Sequence, residues 1–151
     1  MNIRLLIATG ISLFCAASAY ADSPATLTGA EIQFQTTNDD KDWNTQILAR
    51  VVVDGNNAGT LQCCSSDRNI DHFNNNTTTS RALAMVGTPP TKNAAQHGQL
   101  VIGEKPVGND TWVFIPTLTL TFSDGTSMQK TFSQAILAGS HSNYTEDTWS
   151  W

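Results

Sequence analysis

Between Asn38 and Asp42 the chain gathers oxygen donors, with Asn38, Asp39, Asp40 and Asp42 surrounding Lys41 and with Trp43-Asn44 following. Carboxylates and amides this close in a loop can wrap a hard cation, and calcium accepts about six to eight oxygen ligands in irregular geometry. Read for chemistry, Asn38, Asp39, Asp40 and Asp42 form a candidate calcium site. Asp147, beside Glu146, would complete it if the last strand lies beside the first. The loop is too short for an EF-hand and lacks its glycine and terminal glutamate. The same residues also fit a solvated acidic turn.

Two further groups of reactive side chains stand apart from this loop. Cys63 and Cys64 are adjacent, which leaves open a vicinal disulfide, bridges between molecules, or two reduced thiols. Neighbouring cysteines without a further Cys or His at standard spacing do not point to zinc. His72 follows Asp71, and a histidine oriented by a carboxylate, with Ser65 or Ser66 as nucleophile, would suit a small secreted hydrolase. No Gly-x-Ser-x-Gly elbow and no His-Glu-x-x-His accompanies them, and His97 and His141 also lie in polar segments. No catalytic residue is therefore assigned.

These groups must be positioned mainly by strands. Ile32 and Phe34 alternate with Gln33 and Gln35, and Gln46 to Val53 forms a β-branched run closed by the turn Asp54-Gly55-Asn56-Asn57. The two strands would be joined by the polar loop Thr37 to Asn44. Further on, Leu118, Leu120 and Phe122 alternate with threonines ahead of Ser123-Asp124-Gly125. A three-residue loop with Gly125 in the left-handed conformation would pair Phe122 with Thr126 and Leu120 with Met128, leaving one continuous apolar face. Trp112 to Ile115 reads as a strand stopped by Pro116. Ser65 to Asn109 is polar and predicts long surface loops, with short strands at Ala82 to Val86 and Gln99 to Ile102. Ser133 to Leu137 fits either a strand or a helix, and Trp149 and Trp151 fit a last strand packed on the domain. The whole is all-β, a single antiparallel β-sandwich or jelly-roll-like domain.

The segment from Ile32 through Thr45, running into Val51-Val52-Val53-Asp54-Gly55, resembles the opening of a PLAT/LH2 (lipoxygenase-homology) domain. It covers about 25 residues. Thr37 stands where that family has a glycine, and Trp43-Asn44-Thr45 replaces its Gly-Thr-Asp. The resemblance implies a β-sandwich whose loops bind calcium and a lipid or protein partner. It gives ligand roles to Asp39, Asp40 and Asp42 and makes Trp43 an exposed partner contact.

The first 21 residues bear a signal peptide: Arg4, an apolar run from Leu5 to Phe14, and Ala19-Tyr20-Ala21 ahead of cleavage. That removes Cys15 and leaves residues 22–151 as one domain without a transmembrane anchor. The chain carries a formal charge of −5, made one unit more negative by loss of Arg4. Such a balance repels phosphate backbones and argues against nucleic acid as a partner. The expectation is a secreted or periplasmic, non-enzymatic binding module, calcium-assisted, contacting an extracellular or cell-surface protein or lipid. The alternatives are the small hydrolase built on Asp71 and His72, and a toxin-like or structural subunit assembling through its strands or through Cys63 and Cys64.

Overall fold

In a computed structural model that describes residues 23–140 and 143–151, the chain forms two antiparallel five-stranded sheets packed face to face. The strands are β1 (Leu27–Asp39), β2 (Gln46–Val53), β3 (Asn56–Cys63), β4 (Thr78–Ala82), β5 (Ala84–Met85), β6 (Gln99–Lys105), β7 (Asn109–Phe122), β8 (Ser127–Thr131), β9 (Ala135–Ser140) and β10 (Thr145–Ser150). The first sheet runs β4-β1-β7-β8, with β9 also paired to β7, and the second runs β10-β6-β2-β3-β5. This is the expected β-sandwich. The proposed leader, residues 1–21, lies outside the described residues. Among those described, no helix is long and apolar enough to cross a membrane.

Alternation of side chains builds the interior. On β1, Ile32, Phe34 and Thr36 are buried between exposed Glu31, Gln33 and Gln35. On β2, Ile47, Ala49, Val51 and Val53 are buried, as their period-two spacing requires. Phe34, Phe73, Trp112 and Phe114 form the aromatic centre, with Trp112 stacked on Phe114 at 3.8 Å between ring centroids. The indole N–H of Trp112 donates to Thr36 Oγ1 at 3.1 Å, so the largest buried side chain leaves no unpaired donor.

Two turns follow their residue types closely. Asp54 and Gly55 both take positive φ, 50° and 76°, and pair Val53 with Asn56 in a two-residue hairpin. At the second hairpin Gly125 has φ +78°, the Phe122 N–H donates to Thr126 O at 2.9 Å, and Leu120 faces Met128. The three-residue loop reads as predicted.

Pro116 departs from the expectation. It does not stop a strand. β7 runs straight through it with Pro116 opposite Phe34 of β1. The other flank of β7 is shared, with β9 pairing its first half and β8 its second, and Pro116 lies at the seam between them. Its carbonyl accepts the Phe132 N–H at 3.0 Å, and its missing N–H falls where neither ladder needs a donor. The polar stretch from Ser65 to Asn109 also holds more strand than expected. β4 begins inside the run of asparagines and threonines at 74–79, and the chain passes from the first sheet to the second through buried Leu83, whose N–H donates to Ala30 O at 2.9 Å. Ser133 to Leu137 resolves as the start of β9, and β10 packs Trp149 and Trp151 against Phe132.

Both ends of the described chain are tied to the same segment. The Leu27 N–H donates to Pro90 O at 2.9 Å and the Lys92 N–H to Ala25 O at 2.7 Å, while the Trp151 indole donates to Ala95 O at 3.1 Å. Trp112→Ala should lower stability by about 3–5 kcal/mol, because a large cavity opens where four aromatic side chains meet. Urea unfolding of the variant against the parent measures it.

Candidate functional site

At the end of the sandwich opposite residues 90–98, the loop after β1 turns inward around a lysine. Lys41 is fully buried. Its backbone is fixed by reciprocal hydrogen bonds with Phe73, each 3.2 Å, and its Nζ donates to three carbonyl oxygens: Asp42 at 2.6 Å, Thr45 at 2.6 Å and Cys64 at 2.7 Å. The ammonium also stands 5.3 Å from the centroid of the Phe73 ring. Burial pulls its pKa down to about 8, against the attraction of Asp110, Asp71, Glu104 and Asp42.

Carboxylates surround this centre without touching it, each with its own task. Asp110, on β7, accepts the Asp42 N–H at 3.1 Å and the Thr45 hydroxyl; burial raises its pKa even so. Asp71 is buried, and burial alone would raise its pKa. The N–H groups of Asp67 and Ser66, at 2.8 and 2.9 Å, outweigh that and hold it below the ordinary carboxylate value. Glu104, on β6, is fully buried, and neither carboxylate oxygen has a hydrogen-bond partner. The hydroxyl of Thr145, which faces Glu104 across the β10–β6 ladder, is likewise unpaired. Burial and the neighbouring Asp110 push Glu104 up to about 7. The Gly139 N–H, favouring the anion without completing a hydrogen bond, and Lys41 oppose that only in part.

The residues singled out in the sequence are distributed rather than gathered. Asp39 ends β1 opposite Val113, Asp40 is paired with His72, and Asp42 offers its N–H to Asp110. Asn38 Oδ1 accepts from the Thr37 hydroxyl at 3.1 Å. Asp147 lies on β10, in the second sheet, beside Ile102; the last strand does not lie beside the first. Among the described residues no three His, Cys, Asp or Glu side chains converge to hold a metal ion. Trp43 is about one-third exposed at 36 %, at the rim of the lysine loop.

Cys63 and Cys64 meet through their sulfurs as a vicinal pair. Cys64 is buried in the core with φ +74°, and its carbonyl is one of the three that hold Lys41. For the hydrolase arrangement, His72 meets Asp40 rather than Asp71, and among the described residues no serine hydroxyl hydrogen-bonds to it. The Ser66 N–H is engaged with Asp71. His97 is exposed after the short 3₁₀ turn at 94–96, and His141 lies outside the described residues.

A second candidate lies on the outer face of the second sheet. Leu48, Arg50 and Val101 point outward there with Thr60 and Gln62 beside them, as their cross-strand pairing dictates. Together with Asn57 and Tyr144 they line a shallow depression of about 450 Å³. Gly103 allows Tyr144 to pack against the sheet, because a Cβ at that position would overlap the phenol ring. The Tyr144 hydroxyl donates to Glu146 at 2.8 Å, and Glu146 stands 3.5 Å from Arg50. Lys41, Asp110, Glu104 and Tyr144 all escaped the sequence reading. Glu104 left the clearest signal: it follows Leu100 and Ile102 at period two on an inward face.

Lys41→Met should cost about 3–5 kcal/mol in urea unfolding, because it strands the buried carbonyls of Thr45 and Cys64 and removes the cation among four carboxylates. Glu104 has a pH signature of its own. Its folded pKa, about 7, lies above the ordinary 4.5, so the native state retains a proton that the unfolded chain releases. Its contribution to stability therefore falls as pH rises from about 4.5 and levels off above about 7. Glu104→Gln should flatten that slope between about pH 5 and pH 7 and stabilise the protein at neutral pH. Unfolding free energies of both proteins across the range give the comparison. No family model matches the chain, and no curated protein or solved structure matches it either.

Proposed function

We propose that the chain is an exported, non-enzymatic binding module that meets a partner at or beyond the cell surface through the outer face of its second sheet. The observation that carries this reading is the depression around Tyr144. It combines an aromatic ring, two aliphatic side chains and several hydrogen-bonding side chains on a rigid sheet, which is the composition of a binding surface. Export rests on the leader-like residues 1–21.

Several features support binding over the alternatives. Asp71 is committed to the amides of the 66–67 turn, and although His72 pairs with Asp40, among the described residues no serine hydroxyl hydrogen-bonds to it. Cys63 and Cys64 bonded to each other leave no described thiol for a bridge between chains. Calcium is left out of the proposal: Asp40 is paired with His72, Asp147 lies on the other sheet from β1, and among the described residues no three His, Cys, Asp or Glu side chains converge. The likeness to PLAT/LH2 openings remains a proposal about residues 32–55 alone.

Sedimentation with isolated cell envelopes tests the reading. The protein should co-sediment equally in chelator and in millimolar calcium. An Arg50→Ala/Gln62→Ala variant should stay in solution, while Thr119→Ala, on the other sheet, should behave as the parent does. Failure to co-sediment, or equal retention of all three proteins, counts against the outer face as the binding surface.

A further inference from the structure

Resting on the proposal that this outer face binds, its physical chemistry narrows the class of ligand. We propose that the depression receives a neutral glycan, with a sugar ring lying on the Tyr144 ring and its hydroxyls meeting Arg50, Asn57 and Gln62.

The floor is the first reason. Gly103 stands between Leu48 of β2 and Glu146 of β10 in the sheet, and its missing side chain is the space the phenol occupies. Tyr144 thereby packs its hydroxyl end over Gly103, and it remains 41 % exposed. A flat aromatic face with negative quadrupole attracts the polarised C–H bonds on one side of a pyranose ring, and the contact fixes the ring plane. Leu48 extends this floor and Val101 is nearly covered at 4 % exposure, which leaves too small an apolar area to hold an acyl chain.

The rim is the second reason. Arg50, Asn57 and Gln62 end in planar guanidinium or amide groups with parallel donors, suited to neighbouring hydroxyls, and Thr60 adds a hydroxyl. The charges in the patch cancel: Arg50 faces Glu146 at 3.5 Å. An anionic ligand would meet Glu146 and a chain of net charge −5, and a cationic one would meet Arg50. An uncharged, hydroxyl-rich molecule meets neither penalty.

Backbone topology is the third reason, and it separates a glycan from an extended peptide. A peptide strand gains its affinity from free main-chain edges. Under the depression, β2 is paired on both flanks by β3 and β6, and β6 by β2 and β10. The centre of the floor therefore offers side chains and no open ladder, and the unpaired edge of β3 beyond Thr60 lies only at its border beside Gln62.

Amide spectra of the isotopically labelled protein, titrated with neutral oligosaccharides, provide the test. The probes are short β-1,4-linked oligomers of glucose, xylose and N-acetylglucosamine and α-1,4-linked oligomers of glucose, with an uncharged extended peptide as comparator. At least one oligosaccharide should shift the amides of Val101 and Gly103. Gly103→Ala should keep a native spectrum, because Gly103 does not take positive φ and the atoms nearest an added Cβ, Oη, Cζ and Cε2 of Tyr144, are the far end of an exposed side chain. It should weaken binding roughly tenfold, the size expected for one lost aromatic contact, and Tyr144→Leu should do the same. Oligosaccharide shifts elsewhere, or undiminished binding by both variants, overturn the proposal. Shifts at this face from the peptide alone also overturn it while leaving the binding face in place. If neither probe class shifts the face and envelopes do not retain the protein, the binding reading falls as well.

Discussion

An ammonium group buried in a β-sandwich is costly unless oxygen atoms replace its water, and around Lys41 three backbone carbonyls do so. Those carbonyls belong to the loop between β1 and β2 and to the end of β3, so one side chain fixes the path by which the chain leaves the first sheet and enters the second. Much else at this end follows from it. The Thr45 hydroxyl and Asp42 N–H are placed to meet Asp110, the 66–67 turn is folded over Asp71, and Phe73 is drawn in to cover the ammonium. The loop's negative charge is answered from within the chain.

Period-two alternation made much of the fold legible. β1 and β2 could be read as strands and the hairpin of β7 and β8 with its register, because apolar side chains mark one face and Gly125 marks a turn that requires positive φ. Pro116 misled for a physical reason. A missing N–H interrupts a strand only where a partner needs it, and the seam between β8 and β9 is a tertiary fact invisible in local sequence. β4 was obscured likewise: its polar residues form an edge whose ladder partners in β1 lie far away in the chain.

The site was less legible than the fold because charge in a sequence carries no direction. Lys41 sits among acidic residues and reads as part of a solvated turn, yet the bridge to Phe73 swings it inward. Glu104 falls on an inward parity that would ordinarily hold an aliphatic residue, and the structure leaves it without a partner. The outward face of the same sheet was overlooked for the opposite reason. Its members, Arg50, Gln62, Asn57 and Tyr144, are ordinary surface residues, and only cross-strand pairing brings them together.

Residues 90–98 clasp both ends of the folded chain, through Pro90 and Lys92 at the start of β1 and through Ala95 and Gly98 after β10. The two ends thus leave the domain from one pole. A force separating them would first break this clasp and then peel β1 and β10 from their neighbours bond by bond, since both strands would be drawn from the same end. Held by both ends the domain is mechanically soft. Held by a single end it is anchored at one pole, with the flank that carries Tyr144 turned sideways and the lysine loop pointing away from the attachment.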